Sequence, residues 1–220
     1  MAHLDFIQQD MGNPVDACVI WLHGLGADGS DFVPIVEQLQ LPASLRLRFI
    51  FPHAPVRPIT INQGYRMPGW YDIASPDIVA QEDVAGIEAS SAAIDALIEQ
   101  QIQAGIAPER IVLAGFSQGG VIALHCGLKQ RESQLGGIMA LSCYLPGCAQ
   151  LAAGHDLALF LAHGSRDPVV AIERGQEAAK NLERAGYIPE WHEYDMEHSV
   201  SMSEISDIRR WLLGCLDAPT

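Results

Sequence analysis

Short apolar runs punctuate the chain: ACVIWLHG (17–24), LRLRFIFP (45–52), RIVLAGF (110–116), LGGIMALS (135–142), LALFLAHG (157–164) and PEWHEYD (189–195). Most are near-continuously apolar, the pattern of strands covered on both faces. The last alternates instead, which predicts a place at a sheet edge. Between the runs lies helical spacing. The longest helix is predicted after Ser75-Pro-Asp77, with Ser75 or Asp77 as N-cap and Val84, Ile87, Ile94, Ile98 and Ile102 on one face. Further helices are predicted after Ser117, over about 171–185, and over about 201–216. Strand alternating with helix predicts an α/β fold: an open, mostly parallel twisted sheet with helices on both faces. No repeat, low-complexity tract or linker divides residues 1–220, so a single domain is expected.

In such sheets, sites form outside the carboxyl ends of strands, so the loops there carry the candidate chemistry. The segment AGFSQGG (114–120) follows a strand pattern and precedes a helical one. Glycines on both sides of Ser117 suit a sharp turn in which the backbone crowds both elements. Ser117 is therefore a candidate nucleophile, the alternative being a residue of an ordinary glycine-softened turn. A serine nucleophile needs a base, usually a histidine oriented by a carboxylate. Of the eight histidines, His198 lies in DMEHSVSMSEI, after the last strand and before the last helix. That is the base position in the order Ser…Asp/Glu…His. His163 is its nearest competitor, with His23 and His53 also at strand ends. His3, His125, His155 and His192 fall elsewhere.

The acid is expected at Asp167 in LAHGSRDPV, where Pro168 biases it toward an extended backbone. Asp195 is the rival, too close to His198 in sequence to orient its ring from behind. Arg166 beside the acid is expected to face solvent. Acyl transfer also needs donors for a developing oxyanion. The backbone N–H of Gln118 is one candidate; its side chain is expected to carry no role, so Gln118→Ala should keep most activity. The other donor is expected from the glycine-rich WLHGLGADGSDF (21–32), at Leu25, with Gly24 second and a plain turn as the alternative. The loop lacks the P-loop lysine and is not read as a G-x-G-x-x-G dinucleotide loop either, so no phosphate cradle is expected.

Composition narrows the partners. A net charge of −14 argues against a nucleic-acid partner and against electrostatic docking on anionic membranes. With no H-x-x-x-H and no paired C-x-x-C, neither metal nor cofactor is expected. The N-terminal MAHLDFIQQDMGNPVD shows no signal-peptide pattern, and no run reaches the roughly 18 apolar residues of a membrane span, so no stable membrane insertion is expected. Five scattered cysteines then read as reduced thiols, consistent with a cytoplasmic location.

The stretches WLHGLGADGSDF, FPHAP, YRMPGWYDI, GFSQGG, LAHGSRDPVV and MEHSVSMSEI, in this order, resemble the small carboxylesterases and acyl-protein thioesterases of the α/β-hydrolase superfamily. The resemblance spans nearly the whole chain and is nearest to the bacterial carboxylesterases of that group. It implies an α/β-hydrolase fold with Ser117, Asp167 and His198 as triad and the N–H groups of Leu25 and Gln118 as oxyanion hole. It also implies that Met67, Trp70 and Tyr71 line the acyl pocket, although Trp70 could equally pack in the core. No large insertion follows the nucleophile helix, so no cap domain and no interfacial activation are expected. The implied activity is hydrolysis of a small-molecule carboxylic ester of short to medium acyl chain. A thioesterase or lysophospholipase acting on long chains is the alternative, and a non-enzymatic binding module the remote one. The resemblance permits a homodimer.

Overall fold

The structure, a computed structural model, describes residues 4–42, 44–75, 81–130, 133–151 and 156–216. His3, His155 and Asp77 lie outside the described residues. The elements in chain order are β1 (Phe6–Met11), β2 (Ala17–Leu22), α1 (Ile35–Gln38), β3 (Leu47–Pro52), β4 (Val56–Ile59), β5 (Tyr65–Pro68), α2 (Val84–Gln103), β6 (Ile111–Phe116), α3 (Gln118–Gly127), β7 (Gly137–Leu141), β8 (Leu159–Gly164), α4 (Ile172–Arg184), β9 (Pro189–Tyr194) and α5 (Met202–Leu216).

Seven strands form one sheet in the order β1-β3-β2-β6-β7-β8-β9. All neighbours pair in parallel except β1, which runs antiparallel to β3. The alternating β9 is the edge strand on its side, as its pattern predicted.

The continuous apolar runs divide by the two-residue period of a strand. Cys18, Ile20, Leu22, Leu113, Ile138 and Leu161 enter one core, under α2, α3 and α4. Val19, Trp21, Ala114, Met139 and Phe160 enter the other, under α1 and α5. Burial on both faces is why these strands show no polar alternation.

Three features depart from the expectations. β1 carries a mixed FIQQDM pattern and is recognisable only from its pairing with β3. The small β4–β5 hairpin lies outside the predicted strands; Pro58 and Pro68 masked it, since proline interrupts a strand pattern. Helix α2 starts at Val84, capped by Asp83, whose carboxylate accepts the Gly86 N–H (2.9 Å). A cap must directly precede its helix, and Ser75 stands too far upstream. Val84 is exposed while Ile87, Ile94 and Ile98 are buried. Among the described residues no helix is long and apolar enough to cross a membrane.

Candidate active site

Strand β6 ends at Phe116 and α3 begins at Gln118, so Ser117 alone makes the turn. Its φ of 53° and ψ of −121° are a conformation that costs a non-glycine residue energy and persists only where its surroundings impose it. They do so here because strand and helix nearly touch. A Cβ on Gly115 would lie 2.2 Å from the carbonyl carbon of Gly119, and one on Gly119 would lie 2.3 Å from Leu22 O. The Ser117 N–H donates to Leu141 O (2.9 Å), and the hydroxyl does not cap the helix it starts.

The loops after β8 and β9 meet beside this turn. His198 Nδ1–H donates to Asp167 Oδ2 (2.6 Å), while Asp167 Oδ1 accepts the N–H groups of Val169 (2.8 Å) and Val170 (2.9 Å). Three donors thus compensate for the complete burial of the carboxylate. The bond also assigns the proton to Nδ1 and leaves Nε2 as the basic ring nitrogen. The His198 ring packs 4.7 Å from the Phe116 ring, centroid to centroid, at the residue preceding Ser117.

The two loops are stitched along their length. Ser165 N–H donates to Tyr194 O (2.8 Å) and Arg166 N–H to Met196 O (3.1 Å). Arg166 faces solvent and pairs with Asp195 (2.7 Å), which accounts for the rival acid. Gly164 permits the approach: a Cβ there would stand 2.4 Å from Glu197 O.

The other histidines have different partners. His163 is buried, its Nε2–H donates to Val170 O (2.8 Å), and burial pushes its pKa down. His23 is also buried with a lowered pKa; its Nδ1–H donates to Gly24 O (2.7 Å) and its Nε2 accepts from Ala54 N–H (3.1 Å). His53 Nδ1 accepts the Gly29 N–H (3.1 Å). His192 contacts Glu190, and His125 is buried in α3.

The glycine-rich loop after β2 flanks the turn: a Cβ on Gly24 would lie 3.5 Å from Ser117 Cβ. Among the described residues the N–H groups of Leu25 and Gln118 have no acceptor. Gly24, Gly26 and Gly29 have the spacing of a dinucleotide phosphate loop, but their surroundings do not suit one. Gly26 N–H is taken by Pro68 O (2.8 Å), Gly29 N–H by His53, and the next helix in the chain, α1, has four residues. Met67 Sδ sits 3.5 Å from where a Gly26 Cβ would be, beside this loop.

Two features bear on the expectations. Trp70 and Tyr71 are 0% and 3% exposed and pack in the core, the place left open for Trp70. Their aromatic bulk satisfies the α2–α3 core, and their polar atoms find internal partners, Tyr71 with the Tyr144 hydroxyl (3.1 Å). The Gln118 side chain, expected to be idle, is buried and hydrogen-bonded at both ends. Oε1 accepts the Trp70 N–H (3.0 Å) and Nε2 donates to Tyr71 O (2.8 Å). Nothing local in the sequence signals that clamp, since its partners lie 47 and 48 residues away.

A mostly parallel sheet with a serine at a strained strand-to-helix turn, and with aspartate and histidine on later strand-end loops, is the α/β-hydrolase fold. The chain belongs to the phospholipase/carboxylesterase family, whose model matches residues 5–216, and it is a serine hydrolase. Acyl-protein thioesterase 1 of Gibberella zeae is 39% identical over 210 residues, covering 89% of each chain. Among solved structures, Arabidopsis thaliana SOBER1 is similar with a TM-score of 0.82 at 31% identity, over 91% of this chain and 99% of that one. Acyl-protein thioesterase 2 of Zea mays has a TM-score of 0.83 at 25% identity, over 96% and 99%. As in that fold without a cap, only residues 128–136 separate α3 from β7.

Proposed function

We propose that the protein hydrolyses acyl esters and thioesters through an acyl-enzyme on Ser117, with His198 as general base and acid and Asp167 as its orienter. The observation that carries this reading is the Asp167–His198 bond beside the strained serine turn. Nε2 of His198 accepts the Ser117 proton as Oγ attacks the acyl carbonyl carbon, and the carbonyl oxygen becomes an oxyanion facing the N–H groups of Leu25 and Gln118. Collapse expels the alcohol or thiol, which takes the proton from His198. Water then attacks the acyl-enzyme by the same path, giving the carboxylic acid and free Ser117.

Labelling with a fluorophosphonate tests the assignment. Wild type should label once per chain, and Ser117→Ala should neither label nor hydrolyse p-nitrophenyl butyrate. Persistent labelling of the variant moves the nucleophile elsewhere. On substrate, the sequence reading of a short-to-medium-chain carboxylesterase now stands beside a second one. Identity of 36–40% to proteins named acyl-protein thioesterase 1 supports hydrolysis of acyl-protein thioesters, the alternative in which the acyl chain is long.

A further inference from the structure

The segment 68–71 lies across both sides of the Ser117 cleft and is bonded to each. Toward the glycine loop, Pro68 O accepts the Gly26 N–H (2.8 Å) and the Trp70 indole N–H donates to His23 O (2.9 Å). Toward the nucleophile, Gln118 Oε1 accepts the Trp70 N–H (3.0 Å) and Gln118 Nε2 donates to Tyr71 O (2.8 Å). Between these anchors, Gly69 leaves room for both neighbours: a Cβ there would meet Leu25 Cδ1 at 3.0 Å and Gln118 Oε1 at 3.5 Å. The Ser90 hydroxyl of α2 donates to Trp70 O, which fixes the segment to a helix as well.

This bridge matters because the two N–H groups offered to the oxyanion are held differently. That of Gln118 is oriented by α3, whereas that of Leu25 belongs to a loop outside any helix or strand. A buried primary amide is suited to the link. It supplies one acceptor and one donor to successive peptide groups, as a neighbouring strand would, and a leucine of similar size supplies neither. With Trp70 0% and Gln118 3% exposed, no solvent replaces a lost partner.

Building on the acyl-transfer reading above, we propose that the Gln118 carboxamide and the Trp70 indole N–H are positioning groups of the oxyanion site. They clamp segment 68–71 between residue 118 and residues 23–26, and so set the separation of the Leu25 and Gln118 N–H groups. Neither group touches the reacting atoms. Both act through the backbone donors.

The test uses the full chain with Gln118→Leu and, separately, Trp70→Phe, which keeps an aromatic ring and removes the indole N–H. The measurements are kcat and KM on p-nitrophenyl butyrate well below Tm, the affinity of an alkyl boronic acid that forms a tetrahedral adduct on serine, and Tm. A displaced donor should lower kcat by about 10- to 100-fold, with KM within about twofold. Boronate affinity should fall in parallel, while fluorophosphonate labelling still reaches one per chain. A fall in Tm with kcat and boronate affinity unchanged would reduce both groups to core packing and overturn the proposal. If Gln118→Leu does not fold, Trp70→Phe decides by the same criteria. Labelling that survives Ser117→Ala would instead defeat the acyl-transfer reading, whatever these two variants do.

Discussion

His198 and His163 approach the same carboxylate oxygen, Asp167 Oδ2, at 2.6 Å and 3.5 Å. What separates them is the ring nitrogen each presents to it. His198 presents Nδ1 and lies against Phe116, the residue before Ser117. His163 uses Nε2–H on Val170 O, and its Nδ1, without a partner among the described residues, faces Gly175 of α4. Desolvation by burial pushes its pKa down. His198→Ala should therefore lower kcat by about 10⁴-fold or more, with Tm little changed. His163→Ala should lower Tm, because it opens a cavity under the 167–170 turn, and keep far more activity. Thermal melts alongside kcat for both variants check this, and the opposite ordering would exchange the roles. Both histidines end or follow strands in the sequence. Only the observed bonds distinguish the two rings.

Helix α5 starts at Met202, four residues after His198, through a capping box. Glu204 N–H donates to the Ser201 hydroxyl (3.2 Å), and Ser201 N–H donates to Glu204 Oε2 (3.3 Å). The Ser-x-x-Glu spacing is local and readable, but the burial of Glu204 is not. It is 0% exposed, Oε1 has no partner among the described residues, and desolvation pushes its pKa from 4.5 up to about 8. The folded state therefore binds a proton that the unfolded chain releases above about 4.5. Stability from this group is full below that value, declines by about 1.4 kcal/mol per pH unit as pH rises, and is lost above about 8. Melting curves from pH 5 to pH 9 should show Tm falling in wild type, and falling less in Glu204→Gln, which is neutral throughout. Equal slopes would place the titration elsewhere. Helix α2 makes the complementary point about elements. Its apolar face was readable, yet its first turn depends on Asp83, which also accepts the Asp72 N–H (2.9 Å) beside the 68–71 segment.

At the scale of the molecule, the sheet separates two cores, and every group assigned to the chemistry lies on loops where strands end. The absence of a cap between α3 and β7 leaves the acyl group to be bound by the cleft's own walls. Each acyl methylene that is buried contributes about 0.8 kcal/mol, or roughly fourfold in kcat/KM. A series of acyl thioesters and p-nitrophenyl esters from C4 to C16 measures how far that burial extends. On the long-chain reading proposed above, kcat/KM should rise beyond C8; a maximum at C4 to C6 would favour the short-chain esterase reading. Without a cap, the rate should also show no jump where substrate passes its solubility limit.

The central strands, the serine turn and the order serine, aspartate, histidine were decided by the sequence alone, because each is a local pattern or a matter of chain order. Gly115 and Gly119 announce their turn by spacing, and β2, β6, β7 and β8 announce double-sided burial by unbroken apolar runs. Only the tertiary structure decided what depends on residues far apart in the chain. Strand β1 exists through its pairing with β3. Asp167 meets a ring 31 residues away, and the Gln118 amide closes on Trp70, 48 residues away. It also packed the Trp70 and Tyr71 rings into the core. An aromatic in a glycine-punctuated loop suits either place, and the choice lies with the packing of α2 and α3 around it.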